Sequence, residues 1–132
     1  MTTKGTDSML RLVTIDQPLG EVSDWDIFRG EVRYQPLVRP EDAEILRSAH
    51  ITFRPEARTL WHHHECDQYL IITNGHGIVA TEEQRLEVRP GDIVIVPKGI
   101  KHWHGAAPGS HMSHISVLTP GGEILHEEVE GE

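Results

Sequence analysis

The chain has 132 residues with 21 acidic and 12 basic side chains, a formal net charge of -9. That length suits one domain burying roughly 65–70% of its unfolded surface, and the negative charge repels phosphate backbones, which excludes nucleic acid as a partner. No apolar run approaches the roughly 18–20 residues that span a bilayer, the start Met1–Asp7 lacks the apolar core of a signal peptide, and Cys66 is the only cysteine. The expectation is a cytoplasmic protein without membrane or disulfide framework, stabilised by packing or oligomerisation.

Residues 1–9 read as a loose terminus, and 9–15 as a weak strand; residues 1–24 together form an N-terminal segment with a possible interface strand. Trp25, Ile27 and Phe28 are expected to plug one end of the core, before a first clear strand over 30–37. Pro40–Leu46 fits one helical turn, with proline at its start and acids behind it. From residue 49 the pattern becomes regular: strands over 49–53, 59–64, 68–73, 77–81, 85–88, 92–96, 101–106 and 112–118. Turn residues separate them, as in Asn74-Gly75-His76-Gly77 and Arg89-Pro90-Gly91-Asp92. Eight short strands in series predict an all-β fold, a closed antiparallel barrel or jelly roll spanning 25–120. A barrel leaves no open edge and can hold a small ligand inside. Residues 121–132 read as an acidic, solvated tail.

Strand parity sharpens this picture, because successive side chains point to opposite faces. In Trp61-His62-His63-His64-Glu65-Cys66-Asp67-Gln68, His62 and His64 share one face and His63 looks the other way. If the turn returns Gln68 to that side and His102 arrives from a later strand, four neutral donors converge, a set suited to a divalent metal. A tighter turn would instead bring in Asp67, while Cys66 reads as an exposed loop thiol. His104 and His114 fall on inward-facing parities and are the acid/base candidates; a nearby cation would keep either imidazole neutral near pH 7. His63 and Trp103 point outward, and His50, His76, His111 and His126 read as surface or loop residues. Arg58 and Lys101 flank the motifs as possible attractors of an anionic substrate.

The run His62-x-His64-x3-Gln68-x6-Gly75 resembles the first motif of the cupin family, and Gly91-x5-Pro97-x-Gly99-x2-His102 resembles the second. The resemblance implies a small jelly-roll barrel with His62, His64, Gln68 and His102 as metal ligands. Gln68 stands where most cupins have glutamate. Single-domain cupins with a His-His-Gln-His set are more similar still; they include hydroxynitrile lyases of the mandelonitrile-lyase kind and an enzyme that linearises an unsaturated uronate. Trp61–His64, Lys101–Ala106 and Met112–Ile115 carry that closer likeness, although Glu65-Cys66-Asp67 replaces the usual Pro-Leu-Gly turn.

Three imidazoles and one carboxamide fit manganese, iron, zinc, nickel or copper without choosing among them. Four neutral ligands leave the full divalent charge facing the cavity, which favours Lewis-acid chemistry on a substrate oxygen. The reading is therefore a metal-dependent lyase or isomerase acting on a small organic molecule, in a homodimer or higher homo-oligomer joined through its N-terminal strands. The alternatives are a metal-dependent dioxygenase and a non-catalytic metabolite-binding protein.

Overall fold

A computed structural model describes residues 10–15, 20–125 and 127–130. The strands are β1 (Glu21–Val22), β2 (Phe28–Arg29), β3 (Val32–Val38), β4 (Arg47–Phe53), β5 (Arg58–Thr59), β6 (His62–His64) and β7 (Gln68–Gly75), followed by β8 (Gly77–Ala80), β9 (Arg85–Val88), β10 (Ile93–Val96), β11 (Trp103–Ala106), β12 (Met112–Leu118) and β13 (Glu123–Leu125). They form a six-stranded sheet in the order β1-β3-β4-β12-β7-β10, a five-stranded sheet β2-β5-β11-β8-β9 and the pair β13-β6. Every pairing is antiparallel. Among the described residues there is no helix. The fold is the all-β jelly roll expected from the sequence.

Register stacks the interior of the larger sheet in layers. At the closed end Phe53, Met112 and Val32 face one another, all fully buried. One step outward come Ile51, His114, Ile72 and Tyr34, and then Ala49, Ser116, Leu70 and Pro36. The last layer, at the mouth, is Arg47, Leu118 and Gln68. The same parity therefore carries apolar core at one end and polar groups at the other. Gly105 lets the smaller sheet close: a Cβ there would run into Arg58 and the Ala57 carbonyl. Gly75 turns the chain between β7 and β8 at a φ of 71°.

Several expectations need correction. Residues 10–15 form no strand, and Leu10 and Leu12 are almost fully exposed; Met9 lies outside the described residues. The strand at this end is β1, paired through Glu21 with Tyr34. Pro40 starts no helical turn. Arg39–Asp42 is a tight turn, in which the Asp42 N–H donates to Arg39 O and the Asp42 carboxylate accepts the Arg39 N–H, so the local side-chain bond competes with a helix. The strand expected over 59–64 breaks at Leu60 and Trp61, whose N–H groups donate to Ile27 O and Glu127 O.

That last bond marks the largest departure. The acidic end is docked along the barrel: β13 pairs with β6, and the Glu65 N–H reaches Gly122 O. Val129 is buried in a second apolar cluster with Ile78, Ala80 and Trp103 on the outer face of the smaller sheet. Arg29 and Lys101 anchor Glu128 and Glu127 at 2.6 and 3.0 Å. An outward-facing tryptophan and an open strand edge both need covering, and the C-terminal segment covers both.

Candidate metal centre

His62 and His102 are joined by a reciprocal pair of backbone hydrogen bonds, His62 N–H to His102 O at 2.9 Å and His102 N–H to His62 O at 2.8 Å. The two rings lie with centroids 4.3 Å apart. His64 follows two residues after His62 on the same face, and Gly99 N–H donates to its carbonyl. One potential ligand atom from each of His62, His64 and His102 lies within 4.8 Å of the others, and all three residues are buried. His63 faces outward, as parity requires, and meets the Glu65 carboxylate at 3.1 Å.

Hydrogen bonds behind the rings decide which nitrogens face inward. His62 Nδ1 donates to Leu60 O at 2.8 Å, and His102 Nδ1 donates to Ile100 O at 2.9 Å. A carbonyl only accepts, so each Nδ1 carries the proton and each Nε2 presents a lone pair. Gln68, on β7, lines the same cavity as His62 and His64. Its amide Nε2 donates to Ser116 Oγ at 2.8 Å, which turns Oε1 the other way. Gln68 Oε1, His64 Nε2 and His102 Nε2 are all buried without a hydrogen-bond partner. Orphaned buried acceptors are costly in a folded protein; one cation among them would satisfy all three, so the donor set fits a divalent metal.

The imidazoles are tuned to stay neutral, the form that ligates. Burial lowers His64 to about 4, with His102 and His63 adding repulsion, and burial lowers His102 as well. Deeper in the barrel, His114 Nε2 and His104 Nδ1 lie 3.1 Å apart, both rings buried. Burial holds His104 well below its ordinary value, with His114 and the imidazoles of the centre adding to it; it holds His114 at about 3. His104 is 5.4 Å from the His62 ring and 5.5 Å from that of His102, centroid to centroid. Phe53 packs edge-on against His104 at 5.7 Å.

A cavity of about 390 Å³ opens beside the centre, lined by His62, His64, Gln68 and His104. Its walls are largely apolar, with Ile27, Phe28, Ile51 and Leu118 among them, and Trp25 at 52% exposure stands at the rim rather than plugging the core. His114 lies behind His104, outside the lining. A larger groove of about 1230 Å³ beside β1 and β3 contains none of the histidines.

Other sequence expectations sort differently. Asp67 is exposed and its carboxylate accepts the Lys98 N–H at 2.9 Å, which takes it out of the centre. Cys66 is buried rather than exposed, and its thiol donates to Thr119 O. His50 is a buried residue of β4 with Nε2 3.2 Å from Thr73 Oγ1, not a surface histidine. His76 and His111 are exposed, and His126 lies outside the described residues. Neither Arg58 nor Lys101 lines the cavity: Lys101 sits over the Trp61 ring and pairs with Glu127. The cations at the mouth are Arg39 and Arg47, which the sequence reading missed. Arg47 shares parity with Ala49, Ile51 and Phe53, the signal that would have found it.

Residues 49–119 match the family model described as the cupin domain. Over 96 residues the chain is 44% identical to an (R)-mandelonitrile lyase of Granulicella tundricola, covering 72% of each protein. It is 30% identical over 88 residues to an acireductone dioxygenase of Bacillus thuringiensis, a match spanning 63% of this chain and 49% of that protein. Among solved structures, a cupin-like protein from Thermotoga maritima superimposes with a TM-score of 0.80 at 32% identity, covering 85% of this chain and 88% of that one.

Proposed function

The chain belongs to the cupin family, and from that premise we propose that it is a metal-dependent enzyme of lyase or isomerase type acting on a small organic substrate. His62, His64, Gln68 and His102 hold one divalent transition metal, and cleavage of the hydroxynitrile-lyase kind is the nearest named case. The observation that carries this reading is the set of buried, unpartnered acceptors on Gln68, His64 and His102, with His64 clustered beside His62 and His102 and lining one cavity with Gln68 and His104.

When bound, the ion supplies Lewis acidity toward a substrate oxygen. The chain's own residues do the rest. His104 lines the cavity and is neutral, the form able to accept a proton. It takes the proton of a substrate hydroxyl as the O–H pair closes the carbonyl and the C–C pair leaves with the departing carbanion, cyanide in the hydroxynitrile case. The proton then passes to that carbanion, and the reverse direction runs the same transfers backwards. His114, 3.1 Å from His104 Nδ1, positions that ring and fixes its tautomer. This division assigns contact with substrate to His104 alone. The apolar walls exclude water from the reacting atoms. Gln68 contributes no charge, and its Ser116 hydrogen bond keeps the amide oxygen turned inward.

The likeness to an acireductone dioxygenase favours a second reading, oxygen-dependent cleavage, which an anaerobic assay separates from the first. The test is a screen of aldehyde-cyanohydrin and unsaturated-uronate substrates with and without chelator. Chelator-sensitive turnover that continues without oxygen is expected; oxygen uptake coupled to substrate loss would overturn the lyase reading. A homodimer or higher homo-oligomer belongs to the same proposal, and a monomeric mass by light scattering would sink that part.

A further inference from the structure

The mouth of the cavity carries a charge pattern that neither the metal centre nor the histidine pair explains. Arg47 opens β4 on the inward parity, in register with Leu118, which is in turn in register with Gln68. The Arg47 and Gln68 backbones are therefore two strand spacings apart, roughly 10 Å, and both residues line one cavity. Its Nη1 is tied down, donating to Ala43 O at 3.1 Å and Leu46 O at 2.8 Å. That anchor orients the side chain and leaves the Nε–Nη2 edge without a hydrogen-bond partner among the described residues. Arg39 lines the same mouth. The nearby carboxylate of Asp42 is already engaged by the Arg39 N–H and by Arg11. No acid pairs with either guanidinium among the described residues. In a chain of net charge -9, two unneutralised arginines at the rim of an apolar cavity mark a place for an anion.

We propose that the cavity selects a small organic carboxylate, whose carboxylate is gripped by the free edge of Arg47 with Arg39 beside it while its other end reaches the His62/His64/Gln68/His102 centre. The planar edge of a guanidinium matches the two oxygens of a carboxylate. The apolar stretch between, walled by Phe28, Ile51 and Leu118, takes the hydrocarbon or aromatic body. This inference rests on the proposed function for what happens at the far end, and it is tested without turnover.

The probes are 4-(hydroxymethyl)benzoate and its neutral amide, titrated calorimetrically into full-length protein, both metal-loaded and chelator-treated. Tighter binding of the acid by about tenfold or more is expected in both forms, since Arg47 and Arg39 act independently of the metal. Arg47→Gln should abolish that preference while affinity for the amide stays unchanged, Arg47→Lys should restore part of it, and Arg39→Gln should weaken it less. Unchanged amide binding and an unchanged melting temperature show that the variants fold. Equal affinity for acid and amide, or an acid preference that survives Arg47→Gln, would overturn the proposal. Failure of the lyase reading would appear instead as absent metal or absent turnover, with the acid preference still measurable.

Discussion

The two ends of the barrel are built from the same strands and differ only in what the inward positions carry. At the closed end β3, β4 and β12 supply Val32, Phe53 and Met112, all without exposure. At the other end β4, β7 and β12 supply Arg47, Gln68 and Ser116, and β6 and the segment before β11 add three imidazoles. The apolar end stabilises the fold through area removed from water. The polar end leaves buried acceptors unsatisfied and so costs stability, in keeping with a place meant to be completed by a ligand.

The sharpest way to break this contrast is to damage the closed end. Phe53→Ala should lower stability by roughly 3–5 kcal/mol, read as a shift of the urea midpoint. It should also disturb the histidine pair, since the Phe53 ring packs against both His104 and His114. A loss below 1 kcal/mol would mean the closed end is not the stabilising one.

Acid attacks the polar end instead. An unfolded imidazole titrates near 6.5, while burial holds His64 at about 4 and His114 at about 3. The unfolded chain therefore takes up protons that the folded chain refuses. Stability is fully present above about pH 6.5 and should fall steadily as pH drops toward 4. Urea midpoints for metal-free protein across that range check the slope, and a flat profile would contradict it.

His104→Ala should reduce kcat by about 10²- to 10⁴-fold, the range for a proton-transfer group, with metal content unchanged. Loss of metal in that variant would make His104 a ligand instead. Ser116→Ala frees the amide of Gln68 and should weaken metal affinity by about 10- to 100-fold, measured by competition with a chromogenic chelator. The smallest effect belongs to the outer face: Ile95→Lys, at a position 65% exposed on β10, should shift stability by no more than about 0.5 kcal/mol.

Much of this contrast was legible in the sequence because strand parity is local. A period of two is written in Gln68, Leu70 and Ile72, and in Met112, His114 and Ser116, and the structure buries each of these six residues. The spacing of His62 and His64 and the later His102 likewise led to three imidazoles that the barrel brings together. What stayed hidden depends on contacts between distant segments. Composition makes the C-terminal segment look solvated, yet Val129 meets Trp103 and Ile78 because the outer face of the smaller sheet needs a cover. His50 looked like a surface residue, yet the structure buries it beside Thr73. Arg47 was passed over because an arginine at a strand start resembles a solvated charge until the cavity beside it is known.

The orphaned acceptors of the polar end are predicted to hold a metal. Elemental analysis of untagged protein tests this most directly, run beside His64→Ala and His102→Ala. About one equivalent of divalent transition metal per chain is predicted, lost in both variants while the fold is retained. No bound metal under any loading condition would contradict the account.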